Sequence, residues 1–482
     1  MKKISIQLFF AFTIISTVFS CTNDFEKANE DPNLITEINS GSVLNPVLYN
    51  LAENNVLKNY DITAQLMQVH IPFPSNAMGL HRYDVTTGTG NSTWNNAYTN
   101  LVNLEEMLKV SQKAGDVNYQ AIALTLRSLV ISNLTDMFGD VPFTEAAKAE
   151  EGITKPKFDK QEDIYKQLIN DLEKANQLYV TNLGLKYGTD ILFPSSEKNI
   201  NITRWKKFTN SLKMRLLLRI SNRDASALTE IKKIIDNPTT YPVFESESES
   251  AILQISGLAP SLSPWPRAQD YRDSRTFTTF FIDKMNETND PRLPILVNKA
   301  SDKNGSLGYK GIPAAYEGNS SDYNFTPSSP NNAIVVAPMK IPLMTYAEVE
   351  FIKAEMAQKG LGGDAKTHYD KAVKAAVQLW TNIEPTAEFM AQEKIKYNNT
   401  LERIIDQKYF ALFFTDYQQW FEYKRTGFPK LPTTSTMLND KKMPRRMLYP
   451  TSVRNYNPEG YQNALQQMGP DNINTRVWWD VN

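Results

Sequence analysis

Thr345–Ala372, TYAEVEFIKAEMAQKGLGGDAKTHYDKA, is the stretch whose reading decides the fold. Thr345 and Glu348 stand three apart, the spacing of a capping box at a helix start. Behind them Val349, Ile352 and Met356 recur at three- and four-residue steps, which places them on one face of a helix. Gly360 ends that helix, because glycine accepts the left-handed conformation without a Cβ penalty. A second helix then carries Ala365, Tyr369 and Ala372 on one stripe. Two helices joined by a short glycine-rich turn form an antiparallel hairpin.

The spacing of Ile352, Met356, Ala365, Tyr369 and Ala372 resembles one tetratricopeptide-type unit, a repeat of ~34 residues. Lys353 stands where that repeat takes a small residue, so the unit is degenerate. The same helical period runs through much of the chain. Ser92-Thr93 is a cap candidate for a helix bearing Trp94, Ala97, Leu101, Leu104 and Leu108. From Asn118, the residues Tyr119, Ile122, Leu126, Leu129, Val130, Leu134 and Met137 make a second stripe, stopped by Gly139 and Pro142. Asp159 and Glu162 are spaced as a capping pair before Ile164, Leu168, Leu172, Ala175 and Leu178. Trp205, Phe208, Leu212, Leu216 and Ile220 line a further helix with Lys213, Arg215 and Arg219 on its flank. The expected fold is therefore mainly α, a curved scaffold of stacked helical hairpins. One region departs from it: from about 237 to 343 Pro, Gly, Ser and Asn are frequent, and 303–332 has no periodicity. Long irregular insertions of this kind are commonly functional or mobile.

Working back to the N-terminus, Lys2 and Lys3 precede the uncharged, mostly apolar run Ile4–Phe19, the layout of an export signal over residues 1–20. The run is shorter than the roughly 20 apolar residues a spanning helix needs. Val18-Phe19-Ser20-Cys21 resembles a bacterial lipobox, with the bulky Phe19 as its one departure. Cys21 is the only cysteine, so no structural disulfide competes for it, and lipid attachment there is the simplest reading. Two or three acyl chains hold a soluble domain at a bilayer without a spanning helix. Residues 21–42 are polar and acidic and read as a tether, with a domain over 43–482.

Apolar residues make up 41% and charged residues 22% of the chain, as in folded soluble proteins rather than disordered ones. A net charge of −1 and the lack of a basic stripe argue against nucleic acid. His70, His81 and His368 stand in no metal-ligand spacing, and neither HExxH, GxSxG nor a phosphate loop occurs. No cofactor or metal is expected. A glycosidase needs only two carboxylates at the right separation, for which Asp270 and Asp273 offer themselves, but loop caps explain that pair more simply. Binding asks instead for exposed rings beside polar groups, since sugar C–H faces pack on aromatics while hydroxyls meet amides, carboxylates and guanidinium groups. Two regions combine them: His81, Arg82, Tyr83 and Trp94, then Trp265, Arg267, Asp270, Tyr271, Tyr316, Tyr323 and Phe325 in the insertion. Trp94 also lies on the apolar stripe of its helix.

Seven blocks, in order along the chain, resemble the SusD/RagB family of nutrient-binding outer-membrane lipoproteins. They are Leu134–Ala146 (LTDMFGDVPFTEA), Trp205–Ser221, Asp290–Leu293 (DPRL), Thr345–Glu355, Ile405–Pro429, Pro444–Pro450 (PRRMLYP) and Thr475–Asp480 (TRVWWD). Each block also has a plain structural reading: Arg215 and Arg219 as partners of buried carboxylates or helix-end carbonyls, Trp478 and Trp479 as seals of the scaffold. The resemblance implies a SusD-like helical fold. It also implies a lipid anchor on the outer face of the outer membrane, a SusC-like TonB-dependent barrel as partner, and an oligosaccharide or, in some members, a peptide as ligand. Asp24 and Glu26, soon after Cys21, are compatible with an acidic surface-export signal. A tetratricopeptide-like protein-interaction scaffold is the alternative, and it would hold a partner on its concave helical face.

Overall fold

The computed structural model describes residues 38–75 and 79–481. The expected signal, Cys21 and the tether as far as residue 37 lie outside the described residues. Helix α1 (Ser40–Lys58) is already under way at Ser40, so its first turn reaches into what the sequence suggested was tether. It buries Leu44, Val47, Leu48 and Leu51 against the next helix, α2 (Asn91–Ala114).

Helices α2, α3 (Val117–Phe138), α4 (Gln161–Leu178), α5 (Lys198–Ile220) and α6 (Ser226–Asp236) each pack on the one before, α2–α3 and α5–α6 through short turns and α3–α4 and α4–α5 through longer loops. Among the described residues α3 alone is long and apolar enough to cross a bilayer, and it is buried inside the fold as its central helix. The apolar stripes expected for α2 to α5 are the ones that enter the core. Gly139 ends α3 at φ +88°, where a Cβ would run into the Met468 side chain.

Two caps differ from expectation. Helix α2 starts at Asn91 behind Gly90 with no side-chain cap, and the Thr93 hydroxyl bonds instead to Tyr417 Oη at 2.8 Å. Helix α4 follows Lys160, and Asp159 accepts from the Phe143 and Thr144 amides at 2.9 and 2.8 Å, fastening the turn after α3. In both places a tertiary contact took the side chain that local spacing had assigned to a cap.

The decisive stretch folds as expected into α7 (Tyr346–Gln358) and α8 (Ala365–Thr381), with Thr345 Oγ1 accepting from the Glu348 amide. Helix α7 is buried on both sides. Val349, Ile352 and Met356 enter the main core, while Ala347, Phe351 and Ala354 meet Tyr369, Ala372, Val373 and Ala376 of α8 in a second one. Helices α9 (Leu401–Ala411) and α10 (Gln418–Thr426) follow, α9 against this hairpin.

The insertion is less irregular than its composition suggests. Strand β1 (His70–Pro72) pairs antiparallel with β3 (Arg275–Phe277), β2 (Ala251–Ile255) with β6 (Met339–Met344), and β4 (Ala300–Asp302) with β5 (Gly305–Gly308). The β2–β6 ladder closes the insertion at its base, and the stretch between returns to the helical scaffold directly before Thr345.

Where the helices meet, a buried ionic network forms. Arg215 grips Glu348 through Nε at 2.7 Å and Nη2 at 2.5 Å. Arg425 takes both oxygens of Glu355 at 2.7 Å and one of Glu422 at 2.8 Å, and Lys408 reaches Glu422 at 3.0 Å. Asp136 receives Tyr165 Oη at 2.7 Å and Trp479 Nε1 at 2.6 Å, with Arg219 3.5 Å away. Burial alone would push Glu422 up, yet Arg425, Lys408 and Arg219 hold it well below the usual carboxylate range. Lys424, whose ammonium donates to the Asp136 carbonyl at 2.7 Å among the Trp420, Phe421 and Trp479 rings, is pushed down to about 7 by burial. Charges taken out of water persist only when paired and hydrogen-bonded, so these partners must assemble together.

Candidate functional site: a loop-built groove

The candidate groove forms where three loops meet. A 3-10 turn at Leu80–Arg82 ends on Tyr83 in the left-handed region at φ 64° and turns His81 toward the insertion. His81 Nε2 lies 3.0 Å from the Tyr316 carbonyl, across 235 residues of sequence. A carbonyl only accepts, so Nε2 carries the proton and Nδ1, buried without a partner, carries none. Burial lowers the imidazole pKa to about 4, and His81 is neutral at physiological pH.

Arg82 ties the loops together. Its Nη2 donates to Glu317 Oε1 at 3.0 Å and its Nε to the Thr436 carbonyl at 3.1 Å, while its own carbonyl accepts from the Leu438 amide at 2.9 Å. Thr436 Oγ1 donates in turn to the Ala315 carbonyl at 2.7 Å, fixing a non-glycine residue at φ +60°. Backbone strain of this kind persists where the surroundings over-determine it and clusters at ligand sites.

The aromatic side of the groove has its own small core. Tyr316 stacks obliquely on Phe73 at 5.4 Å and on Tyr323 at 6.0 Å, and its hydroxyl donates to the Pro74 carbonyl at 2.9 Å. Tyr323 meets the edge of Phe325 at 5.8 Å, and Lys310 Nζ sits 4.1 Å over the Phe325 ring. Ile71 and Ile312 pack beneath. The space left open is about 250 Å³, lined by Tyr316, Glu317, Asp322, Tyr323 and the hydroxyl-bearing Thr434, Ser435 and Thr436. Such a groove supplies a ring face, hydroxyl donors and acceptors and carboxylate acceptors to a polar ligand.

The structure thus joins two stretches that sequence reading kept apart, His81 and Arg82 with Tyr316, Tyr323 and Phe325. The other candidate residues go elsewhere, and the exposure expected of most of them is absent. Trp265 and Tyr271 are buried with Tyr60 and Phe414, Trp265 stacking on Phe414 at 6.2 Å and Tyr271 accepting the Tyr60 hydroxyl on its carbonyl. These two rings of the insertion join the main hydrophobic core of the scaffold, since a segment of more than a hundred residues has to bury apolar area somewhere. Trp94 is buried among Tyr98, Phe138, Phe158 and Tyr449 on the stripe of α2. Tyr83 is buried as well, its hydroxyl pushed up to about 12 by burial. Arg267 and Asp270 pair with each other at 2.7 Å on an exposed helical turn outside the groove.

Sequence reasoning missed Glu317, Asp322 and the Thr434–Thr436 wall. The one signal for that wall was the hydroxyl run Pro432–Thr436 (PTTST), which carries no ring and so drew no attention. Among the described residues no group of three or more His, Cys, Asp or Glu side chains is placed to hold a metal ion.

A scaffold of stacked helical hairpins that presents a groove on inserted loops defines a class of binding protein. The chain matches the model of the SusD-like family described as starch-binding and associating with outer membrane, over residues 32–450, and it belongs to that family. No curated protein matches it in sequence. Among solved structures it is similar to a chitin-binding protein at 24% identity, with 92% of this chain and 99% of that one covered and a TM-score of 0.75. A chitin-binding SusD homolog from Flavobacterium johnsoniae is 22% identical over 92% of this chain and 98% of its own, with a TM-score of 0.78. A SusD homolog from Bacteroides fragilis shows the same identity and TM-score over 92% and 99%.

Proposed function

We propose that this protein captures an oligosaccharide nutrient in the groove between Arg82, Tyr316 and Thr436 and delivers it to a SusC-like TonB-dependent transporter. In this reading lipid on Cys21 anchors it to the outer membrane, facing the exterior. The observation that carries the proposal is the groove itself, a ring face beside hydroxyl and carboxylate groups on a rigid support. The family's description as starch-binding and outer-membrane-associated supports a glycan as the ligand class. So do the chitin-binding descriptions of two structural neighbours. A sugar ring laid on Tyr323 would gain area burial plus on the order of 1 kcal/mol of ring contact, and the Thr434–Thr436 hydroxyls would meet its edge.

Two measurements test the proposal. The full chain, extracted in mild detergent, should co-purify with a TonB-dependent transporter, and its recovery as a lone species under conditions that keep other envelope complexes intact would count against the partnership. Titrated against oligosaccharides and short peptides, the protein should bind a saccharide, and bind it more weakly on Tyr323→Ala. Tight binding of peptides alone would move the ligand to the other class.

A further inference from the structure

The charges around the groove specify its ligand more narrowly than its shape does. Resting on the groove reading above, we infer that the site discriminates by ligand charge, admitting neutral and amine-bearing saccharides and rejecting carboxylated ones. The lining holds two carboxylates and no basic side chain. Glu317 is engaged by Arg82 at 3.0 Å, which leaves that side near neutral. Asp322 is exposed and takes the Asn319 amide on Oδ1 at 2.7 Å, with no cationic partner among the described residues. Its charge adds to burial in raising the hydroxyl pKa of both Tyr316 and Tyr323, which places its field on the aromatic side of the groove, where Tyr323 is the half-buried ring. Arg82 and Lys310 are the nearby cations and neither is on the lining: Arg82 is engaged by Glu317 and the Thr436 carbonyl, and Lys310 lies against the Phe325 ring. The remaining wall groups are neutral hydroxyls. A uronate carboxylate entering this space would meet a like charge and the negative face of the half-buried Tyr323, with no cation on the lining to pair it. A free amine would meet the reverse.

The test titrates the full chain in mild detergent against three sets of oligosaccharides of equal length: neutral glucose and N-acetylglucosamine oligomers, glucosamine oligomers, and galacturonate oligomers. Salt is kept at about 10 mM, where the screening length is ~30 Å. Neutral or glucosamine members are expected to bind at least tenfold more tightly than galacturonate members. Asp322→Asn should narrow that ratio about threefold, and about 150 mM salt should narrow it too. A galacturonate oligomer as the tightest binder, weakened on Tyr323→Ala, would overturn the charge inference while leaving the groove in place. An unchanged ratio in Asp322→Asn would also overturn it. Failure of all three sets to bind would overturn the groove reading and this inference together.

Discussion

The ionic network between the helices and the groove on the loops are both rich in charged and aromatic side chains, yet they use them in opposite ways. In the network every carboxylate is taken: Glu422 by Arg425 and Lys408, Glu355 and Glu348 each by a bidentate arginine. In the groove Asp322 is exposed and Tyr323 is only half-buried. Six of the seven blocks that carry the family resemblance send a residue into the internal ionic and aromatic contacts of the scaffold, among them Asp136, Arg219, Glu355, Glu422, Arg445 and Trp479. The fourth block's Glu348 and the third block's Asp290–Arg292 pair are equally internal. Motifs in this chain therefore report the fold, and the ligand surface has to be read from residues outside them.

The comparison breaks first at Arg425. Its replacement by alanine strands Glu355 and Glu422 without their main counter-charge, and removing one partner of a buried pair costs about 3–5 kcal/mol. Urea unfolding should show that loss, and a change below ~1 kcal/mol would mean the network relaxes into solvent. Trp265→Ala comes next. A large ring removed from a packed core costs about 3–5 kcal/mol, the lower part of that range where loops can close in. A melting temperature that stays put while ligand affinity falls would return Trp265 to the binding surface.

Acid should act on the groove through His81. Its folded pKa of about 4 lies below the ordinary histidine value, so between 6.5 and 4 the unfolded chain binds a proton that the folded chain refuses. Stability contributed by neutral His81 is thus complete above pH 6.5 and is lost as pH falls toward 4. His70, buried and likewise held well below the ordinary histidine value by burial, adds to the same window. His81→Gln, with an amide that still donates to the Tyr316 carbonyl, should therefore reduce the slope of that part of the urea-stability profile without abolishing it. An identical profile in the variant would show that His81 is hydrated.

Smaller effects sharpen the groove side. Tyr323→Ala should weaken the cognate saccharide up to tenfold, ~1.4 kcal/mol, with the unfolding midpoint nearly unmoved, as checked by calorimetric titration beside a thermal melt. Arg267→Ala, which breaks an exposed pair outside the groove, should leave both stability and binding unchanged within measurement error. A binding defect there would extend the site beyond its present walls.

The helical hairpin at Thr345–Ala372 was legible because helix periodicity, a capping threonine and a terminating glycine are local properties that adjacent residues express in any context. The same holds for the stripes of α2 to α5, and for the assignment of Arg215 and Arg219 to buried carboxylates, since a charge on an otherwise apolar helix has few other places to go. The site was half legible. His81, Arg82, Tyr316, Tyr323 and Phe325 were singled out as exposed polar or aromatic groups, but the pairing of the first two with the last three depends on hydrogen bonds spanning 235 residues. No periodicity records such a distance. Composition likewise could not tell Tyr323, half-buried at the groove, from Tyr271, sealed against Tyr60. Ring chemistry is the same in both, and burial is a property of what the rest of the chain packs around it. The sequence by itself determined the helical scaffold and the family. Tertiary structure alone decided which rings are core, that Arg82 is a clamp among three loops, and that Thr434–Thr436 forms a wall, because those are outcomes of long-range contacts that each residue's own neighbours do not encode.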